Sequence, residues 1–348
     1  MNDIPKTDPH NLPRRLDSMG AIGTIFVQDA EHFIVEEHIP YEPCRKGEHL
    51  FVQFRKRDLT TKAVVDSFAK ALGIRARDVG VAGMKDKKAT TTQWISIQGI
   101  KANLLDKISI PGVSILQRKW HRNKLRNGQV KHNTFRIGLK DIDGARMTML
   151  QEMINVLQQK GIPNFYGPQR FGKFEDNREQ GLAMIKAGEG VGKSWREKLL
   201  LSSYQSGCFN DLLAYRMSKG YLDTALEGDV LQKHDSGGSF HCEVPAEDQP
   251  RVDALEISPT GWMPGYKAMR AKGRPGEWEE ALLSRDEIHL GHLEGLGKLL
   301  KGTRRAMRMP LAKCSYEEKG GLVWLTFSLP AGVYASVVLH ELGITFVS

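Results

Sequence analysis

The order of strand-like and helix-like segments along the chain is the feature that most limits its fold. Up to about residue 155, short apolar stretches typical of strands alternate with helical patterns, and from roughly 160 to 310 the sequence turns helical and rich in loops. After that, GLVWLTFSLP (321–330) returns to strand-like alternation and is followed by the apolar run ASVVLHELGI (335–344). A β-rich tail after a helical middle indicates that the tail completes the first sheet and that the middle is inserted.

These patterns predict a mixed α+β fold with an inserted α/β domain. Residues 1–160 and 311–348 are predicted to form one domain, and 161–310 the insertion. Strands are expected at GTIFVQ (23–28), HFIVEE (32–37), HLFVQF (49–54), DVGVAG (78–83), QWISIQ (93–98) and NTFRIGLK (133–140). Helices are expected from Thr61 to a stop at Gly73, over 145–160, and in amphipathic runs at 177–187, 195–218 and 277–301.

The amino-acid composition excludes several classes of protein. The 348 residues are 40% hydrophobic, which is enough for sizeable cores and excludes disordered and fibrous chains. No stretch approaches the roughly 18 to 20 apolar residues that a membrane span needs, and the N-terminus lacks an apolar signal core. We therefore expect a soluble, cytoplasmic protein with no membrane partner. The four cysteines lie far apart without CxxC spacing, which excludes a zinc ribbon or a disulfide framework: Cys44, Cys208, Cys242, Cys314.

The net charge of +9, from 50 Lys and Arg against 41 Asp and Glu, is concentrated in a few runs. The run QRKWHRNKLRNGQVKH (117–132) contains no acid and predicts phosphate contacts beside a tryptophan that could stack on a base. Its candidate RNA-binding residues are Arg118, Lys119, Arg122, Lys124 and Arg126. A weaker basic cluster at 298–308 could be a basic helix end that adds charge for RNA, and another lies at 45–57. The alternative is a solvated basic hairpin without a partner.

Two patterns that suggest other chemistry lack the context that this chemistry requires. AGEGVGKS (187–194) fits a permissive phosphate-loop pattern, with Lys193 as its lysine, but a helix-like segment precedes it instead of a strand. A nucleotide hydrolase therefore remains only a rival reading. His289 and His292, near Asp286, have the spacing of a metal pair, yet no third strong ligand is close in the sequence. An exposed, solvated helix face explains the histidines better.

The segment VAGMKDKKATTTQW (81–94) is the most informative one for function. It predicts a strand, a charged loop and a return into a second strand. Asp86 is its only acid, and Lys85, Lys87 and Lys88 surround it, which favours an ionised carboxylate. Judged by residue chemistry alone, the segment is either a hairpin turn with a solvated aspartate or a site that uses one carboxylate.

This segment resembles the tRNA pseudouridine synthase D (TruD) family, bacterial type, whose pattern around its catalytic aspartate is close to AG-x-KD-x-x-A-x-T-x-QW. The matching positions are Ala82, Gly83, Lys85, Asp86, Ala89, Thr91, Gln93 and Trp94. Further family segments follow the family's order: EHFIVEE (31–37), HNTFRIGL (132–139), IPNFYGPQRFG (162–172) and LPAGVYASVVLHEL (329–342). The resemblance runs from about residue 20 to the C-terminus and is weakest between about 220 and 315.

The resemblance implies a pseudouridine synthase fold and the isomerisation of uridine to pseudouridine in tRNA, at uridine 13 of the D arm. It implies Asp86 as the catalytic residue, acting on a flipped uridine as nucleophile or as base. No cofactor, metal or nucleotide is implied, tRNA is the partner, and we expect a monomer with tRNA between its two domains. The rival from another class is a tRNA-binding or chaperone protein that keeps the fold without catalysis, against which the intact Asp86 argues.

The resemblance also implies roles for individual residues. Phe33, Asn133, Phe135 and Tyr334 match substrate-contacting positions, and Lys85 matches the motif as a possible basic partner of Asp86. Asn133 and Phe135 share one face of a predicted strand. Without the family pattern, core packing would explain the three aromatic residues. Gln169 and Arg170 could face RNA, or their segment could be a structural hinge.

Overall fold

The computed structural model describes residues 3–172, 174–188 and 194–347. The strands are β1 (Ile25–Val27), β2 (Phe33–His38), β3 (His49–Arg57), β4 (Val79–Val81), β5 (Thr90–Gln98), β6 (Val113–His121), β7 (His132–Leu139), β8 (Ile162–Pro163), β9 (Val230–Lys233), β10 (Ser239–His241), β11 (Ile257–Met263), β12 (Thr303–Ala306), β13 (Arg308–Met309), β14 (Ala312–Lys319), β15 (Leu322–Pro330) and β16 (Thr345–Val347). The helices are α1 (Thr61–Leu72), α2 (Gly144–Lys160), α3 (Asn177–Ala187), α4 (Trp195–Ser218), α5 (Pro245–Asp253), α6 (Gly273–Arg285), α7 (Leu290–Gly295) and α8 (Ala335–Glu341).

Contacts between residues divide the chain into two compact units. Residues 21–150, 311–335 and 343–348 form what we call the sheet unit, and residues 1–20, 151–310 and 336–342 form the helical unit. The chain thus crosses from one unit to the other inside α2 and at the start of α8. The predicted domain limits, at residues 160 and 310, stay a prediction.

The sheet unit is built on an eight-stranded mixed sheet, and the predicted α+β class is confirmed. The strand order is β14-β15-β7-β2-β5-β3-β6, with β4 pairing on β5. All neighbouring pairs are antiparallel except β2 with β5. Because β14 and β15 come from the C-terminal part of the chain, residues distant in sequence complete the sheet. β1 and β16 form a separate parallel pair.

Helix α1 packs on one face of this sheet for reasons that its sequence makes plain. The side chain of Thr60 accepts a hydrogen bond from the amide of Ala63 at the first turn, and Gly73 ends the helix in the left-handed conformation, at φ +66°. Val64 and Phe68 are fully buried in the apolar cluster that the strands β3 and β5 provide. The predicted limits of this helix are confirmed.

The helical unit combines the α3–α4 pair with a four-stranded sheet of order β10-β9-β11-β12 and a short β8–β13 pair. Ser194 and Glu197 form a capping box that starts α4. The predicted single helix over 277–301 is wrong. Glu287 adopts a left-handed backbone, at φ +53°, which ends α6 and separates it from α7.

The apolar run at 335–344, read as part of a β-rich tail, contains α8. Within the described part of the chain, no helix has both the length and the apolar character needed to cross a lipid bilayer.

Candidate active site

The segment that carries Asp86 is a loop (82–89) between β4 and β5, which we call the Asp86 loop. Strands β2 and β4 pair with the same strand, β5, in opposite directions, so their C-terminal ends approach each other. The loop begins at the point where these two ends meet. The pairing of β2 and β4 with β5 therefore determines the position of Asp86.

Three side chains from neighbouring elements hold the backbone of the Asp86 loop. The ammonium of Lys56 donates to the carbonyl of Asp86 at 2.7 Å, and the hydroxyl of Thr61 accepts from the amide of Lys85 at 2.9 Å. The side-chain amide of Gln93 donates to the carbonyl of Gly83 at 3.2 Å. Residue Asp86 itself is exposed. The backbone is fixed while the carboxylate remains accessible.

A buried hydrogen-bonded chain fixes these holding groups in turn. The hydroxyl of Thr61 donates to Oε1 of Gln93 at 3.0 Å, and the hydroxyl of Thr91 donates to the same oxygen at 3.3 Å. The two donors set the orientation of the Gln93 amide, so that its NH₂ group points at the loop. All three side chains are buried, which makes this network rigid.

Lys85 is not available as a partner for the Asp86 carboxylate in this structure. Its Nζ lies 2.5 Å from Oε2 of Glu37, and the Glu37 side chain is fully buried. The other oxygen, Oε1 of Glu37, has no hydrogen-bond partner among the described residues. Lys85 therefore neutralises a buried acid at the end of β2.

Lys56 is the lysine that the structure brings to Asp86. Its side chain is 0% exposed, and it follows Leu50, Val52 and Phe54 on the same, apolar face of β3. Burial lowers the pKa of Lys56 to about 8, an effect that the nearby Asp86 carboxylate partly offsets.

Asn133 lies directly opposite Glu37 in the register of β7 and β2, so both side chains point to the same face of the sheet. Oδ1 of Asn133 is buried and has no hydrogen-bond partner among the described residues. Two buried acceptors, Oε1 of Glu37 and Oδ1 of Asn133, thus stand side by side next to the Asp86 loop. Because a buried acceptor without a partner is unfavourable, these two oxygens are suited to accept hydrogen bonds from a bound ligand.

Two of the three predicted aromatic residues, Phe33 and Phe135, share this face of the sheet but are buried. Phe33 is 4% exposed and Phe135 8%, with their ring centroids 6.1 Å apart. Phe135 also stacks on Phe327 at 5.5 Å, and Phe33 lies four residues from Glu37, about 13 Å along β2. Tyr334 is half-buried just beyond β15. The structure places Asn133 beside the Asp86 loop and Phe33 within an aromatic cluster.

The basic run at 117–132 spans the second part of β6, at one edge of the main sheet, and the connection that follows it to the start of β7. Its charge is partly neutralised by acids from elsewhere in the chain. Arg118 pairs with Asp106 at 2.5 Å and Lys119 with Glu42 at 2.9 Å. The predicted residues that stay exposed are Arg122 and Arg126, while Lys124 donates to a backbone carbonyl.

The second predicted RNA-facing pair lies in the helical unit. Gln169 is exposed, whereas the guanidinium of Arg170 donates to the hydroxyls of Ser202 and Ser206 on α4. Arg170 also lies 5.5 Å from the ring centre of Tyr166. Its contacts are thus those of a residue held in place by its own unit.

The expectation that the cluster at 298–308 supplies charge for RNA does not hold for its buried arginines. The side chain of Arg304 is 5% exposed and pairs with Glu279, and that of Arg308 is 1% exposed and pairs with Asp223 at 2.7 Å. Their charge is used inside the helical unit. These arginines lie on β12 and β13, not at a helix end.

Of the two patterns that suggest other chemistry, the structure describes only the histidine pair in full. Residues 189–193, including Lys193, lie outside the described residues. Asp286 binds Arg285 and the hydroxyl of Tyr204, so it does not face His289 and His292 as a ligand. The described ranges contain no group of three or more His, Cys, Asp or Glu residues that could hold a metal ion.

Three residues at the Asp86 loop were not predicted as site residues from the sequence: Lys56 and Thr61, which hold its backbone, and Glu37, which pairs with Lys85. One sequence signal could have identified Lys56. The period of two puts it on the same face as three apolar residues, where a lysine is unusual unless it has a partner. Thr61 had been read only as the start of a helix, and Glu37 only as part of a strand.

Comparisons with known proteins agree over nearly the whole chain. The family model described as "tRNA pseudouridine synthase D (TruD)" matches residues 14–189 and 191–342. A tRNA pseudouridine synthase D of Anaeromyxobacter dehalogenans is 39% identical over 318 residues, covering 90% of each chain. One of Thermus thermophilus is 36% identical over 334 residues, covering 96% of this chain and 92% of its own. A crystal structure from Methanosarcina mazei, described by the same family name, aligns with a TM-score of 0.72 at 25% identity over 95% of this chain and 98% of its own.

Proposed function

Because this chain belongs to the tRNA pseudouridine synthase D family, a family of isomerases that act on tRNA, we propose that it converts uridine 13 of the tRNA D arm to pseudouridine and that Asp86 is its catalytic residue. The reaction breaks the C1′–N1 bond, turns the uracil and forms a C1′–C5 bond. C5 loses a proton and N1 gains one, so substrate and product are isomers. One carboxylate suffices, either by adding to C1′ or by removing the proton at C2′.

The observation that carries the proposal is the contrast within the Asp86 loop. Its backbone is held by Lys56, Thr61 and Gln93, while residue Asp86 is exposed. A nucleophile or base gains most when its position is fixed before the substrate arrives. A solvated turn with an incidental aspartate would not need three buried side chains to hold its backbone.

Substrate contact is proposed for the family positions in this chain. A uridine that leaves its stack offers the N3–H group as a donor on its base edge. The free acceptor of Asn133, opposite that of Glu37, supports a role in reading this donor. Phe33, Phe135 and Tyr334 are proposed to shape the apolar side of the pocket, the first two from within the core.

Contacts to the tRNA backbone are proposed for the exposed cations of the basic run. Arg122 and Arg126 are the best candidates, since Arg118 and Lys119 must first release their acidic partners. Gln169 and Arg170 are proposed to contact the RNA from the helical unit. We also propose that the enzyme acts in the cytoplasm, as a monomer and without metal or cofactor.

The test uses the full chain and an unmodified tRNA with uridine at position 13, next to the same tRNA with cytidine there. We expect pseudouridine at position 13 of the first tRNA, none at that position of the second, and none with Asp86→Ala. Product at another position would overturn the assigned uridine. Product that persists with Asp86→Ala would overturn the catalytic role of Asp86. If the wild type binds tRNA without forming product, the protein is a tRNA-binding protein of the same fold.

Deuterium at C2′ of the target uridine separates the two routes. Removal of the C2′ proton predicts slower single-turnover product formation from the deuterated tRNA. Equal rates would favour addition of the carboxylate to C1′.

A further inference from the structure

Lys56, the buried lysine next to Asp86, has no role in the reaction steps proposed above, although burial of its charge is energetically unfavourable. Lys56 is 0% exposed at the end of an apolar strand face. Removing an ammonium from water is unfavourable unless charges and hydrogen bonds compensate for the loss of hydration. In the described part of the chain its single hydrogen bond is the one to the carbonyl of Asp86, at 2.7 Å. Two of its three N–H donors are therefore left without a protein acceptor.

The charges around Lys56 are few and can be named. Asp86 and Asp58 favour its protonated form, and Lys85 opposes it. Lys85 is itself tied to Glu37 and so cannot replace Lys56 at Asp86. Among the described residues, the ammonium of Lys56 is thus a buried positive charge that reaches the Asp86 loop from another element and is not paired with a carboxylate.

Resting on the catalytic role proposed for Asp86, we propose that Lys56 is a positioning residue of the reaction, whose buried ammonium fixes the main chain of Asp86 and stabilises its carboxylate in the reactive orientation. Lys56 touches only the backbone of Asp86, so it acts through that residue and not on the substrate. A hydrogen bond to the carbonyl limits rotation of the peptide unit that follows Asp86. Because the ammonium is buried, its attraction for the nearby carboxylate is weakened less by water than that of an exposed lysine would be.

This role has a signature in the pH dependence of the reaction. Burial lowers the pKa of Lys56 to about 8, so the ammonium is present at neutral pH and lost in mildly alkaline solution. The neutral amine can still donate a hydrogen bond, but its charge is gone. We therefore expect kcat to fall as pH rises through about 8.

The experiment compares Lys56→Gln and Lys56→Arg with Lys62→Gln, a control at an exposed lysine of α1. For Lys56→Gln we expect kcat lower by about 10- to 100-fold, KM within about threefold of wild type, and no alkaline fall near pH 8. Lys56→Arg should retain more activity than Lys56→Gln and lose the alkaline fall, because a guanidinium stays charged. Lys62→Gln should match the wild type. Wild-type kcat in Lys56→Gln, or an unchanged alkaline fall, would overturn the proposal.

A second measurement does not depend on activity or on the stability of variants at Lys56. The ε-carbon of Lys56 is followed by NMR through an alkaline titration in the wild type and in Asp86→Asn. We expect a midpoint near 8 in the wild type and a lower one in Asp86→Asn, since the favourable carboxylate is removed. The proposal would be wrong if Lys56 titrated at the ordinary lysine value, or if its midpoint were the same in the wild type and in Asp86→Asn. If instead Asp86→Ala keeps its activity, it is the proposed function that fails.

Discussion

The Asp86 loop and the interior of the helical unit use buried charge in opposite ways. In the helical unit, buried arginines are matched with acids: Asp211 accepts from Arg178 and Arg285, and Arg216 binds Asp229 through two hydrogen bonds. In the Asp86 loop, buried polar groups bind the backbone and leave the carboxylate exposed.

The difference distinguishes carboxylates that stabilise the fold from one that is available to react. A carboxylate whose lone pairs are occupied by arginines and backbone amides, like those of Asp211 and Asp229, is poorly placed to attack or to accept a proton, whereas an exposed carboxylate on a held backbone can do both. Whether an acid can react therefore depends on whether its carboxylate is already bound by other groups, and not on the number of acids in the unit. Four measurements test this contrast between the two regions.

Asp86→Asn and Asp211→Asn should have opposite consequences. Asp86→Asn is expected to lower product formation by about 10⁴-fold or more, with unfolding free energy within about 0.5 kcal/mol of wild type. Asp211→Asn is expected to cost about 3–5 kcal/mol of stability, because the buried Arg178 loses its charge partner and Arg285 keeps only Asp286, and to leave the chemistry of the folded fraction unchanged. Denaturant unfolding and single-turnover assays measure the two effects. A large stability loss in Asp86→Asn would abolish the contrast.

Lys85→Met tests the one buried ion pair that the Asp86 loop does contain. Removing the lysine leaves the carboxylate of Glu37 buried without a partner, so we expect a loss of about 3 kcal/mol in unfolding free energy. Lys87→Met, at an exposed lysine of the same loop, is the control and should stay within about 0.5 kcal/mol. Equal values for the two variants would show that the pair contributes little.

His234 sets an acid limit to the stability of the helical unit. Burial, assisted by the charge of Arg308, lowers its pKa to about 4, whereas the unfolded histidine titrates near its ordinary value of about 6.5. Between these values the unfolded chain binds more protons, so stability falls as pH falls. We expect this group to account for a loss of about 2 kcal/mol, which His234→Gln removes. The same acid slope in wild type and variant would contradict this assignment.

Lys62→Met should have the smallest effect. Its ion pair with Asp66 on α1 is short, 2.7 Å, but both side chains are largely exposed. Such i, i+4 pairs contribute about 0.3–0.5 kcal/mol. An effect above about 1 kcal/mol would mean that exposure is a poor guide to which charges stabilise this protein.

Local features of the sequence predicted local structure well. The limits of α1, α3 and α4 were predicted from amphipathic spacing together with stop residues such as Gly73, and the structure confirms them. Each depends on residues within a few turns of one another. The predicted helix over 277–301 was wrong because a single left-handed residue, Glu287, interrupts a continuous apolar pattern.

The sequence was less informative about charge. The run at 117–132 has no acid of its own, yet Asp106 and Glu42 reach two of its cations in the fold. Likewise, Arg304 and Arg308 look like an exposed basic cluster but lie inside the helical unit. Ion pairs form across long separations in sequence, which no local pattern records.

The sequence alone was enough to identify the family, the Asp86 segment and most of the elements around it, since these depend on residue order and short-range periodicity. The fold was needed to show that Lys85 belongs to Glu37, 48 residues away, and that Lys56 reaches Asp86 across 30 residues. The motif offers three lysines next to Asp86, and none of them is the one that holds its backbone. Burial and distance decide how a charge acts, and both arise only when the strands pair.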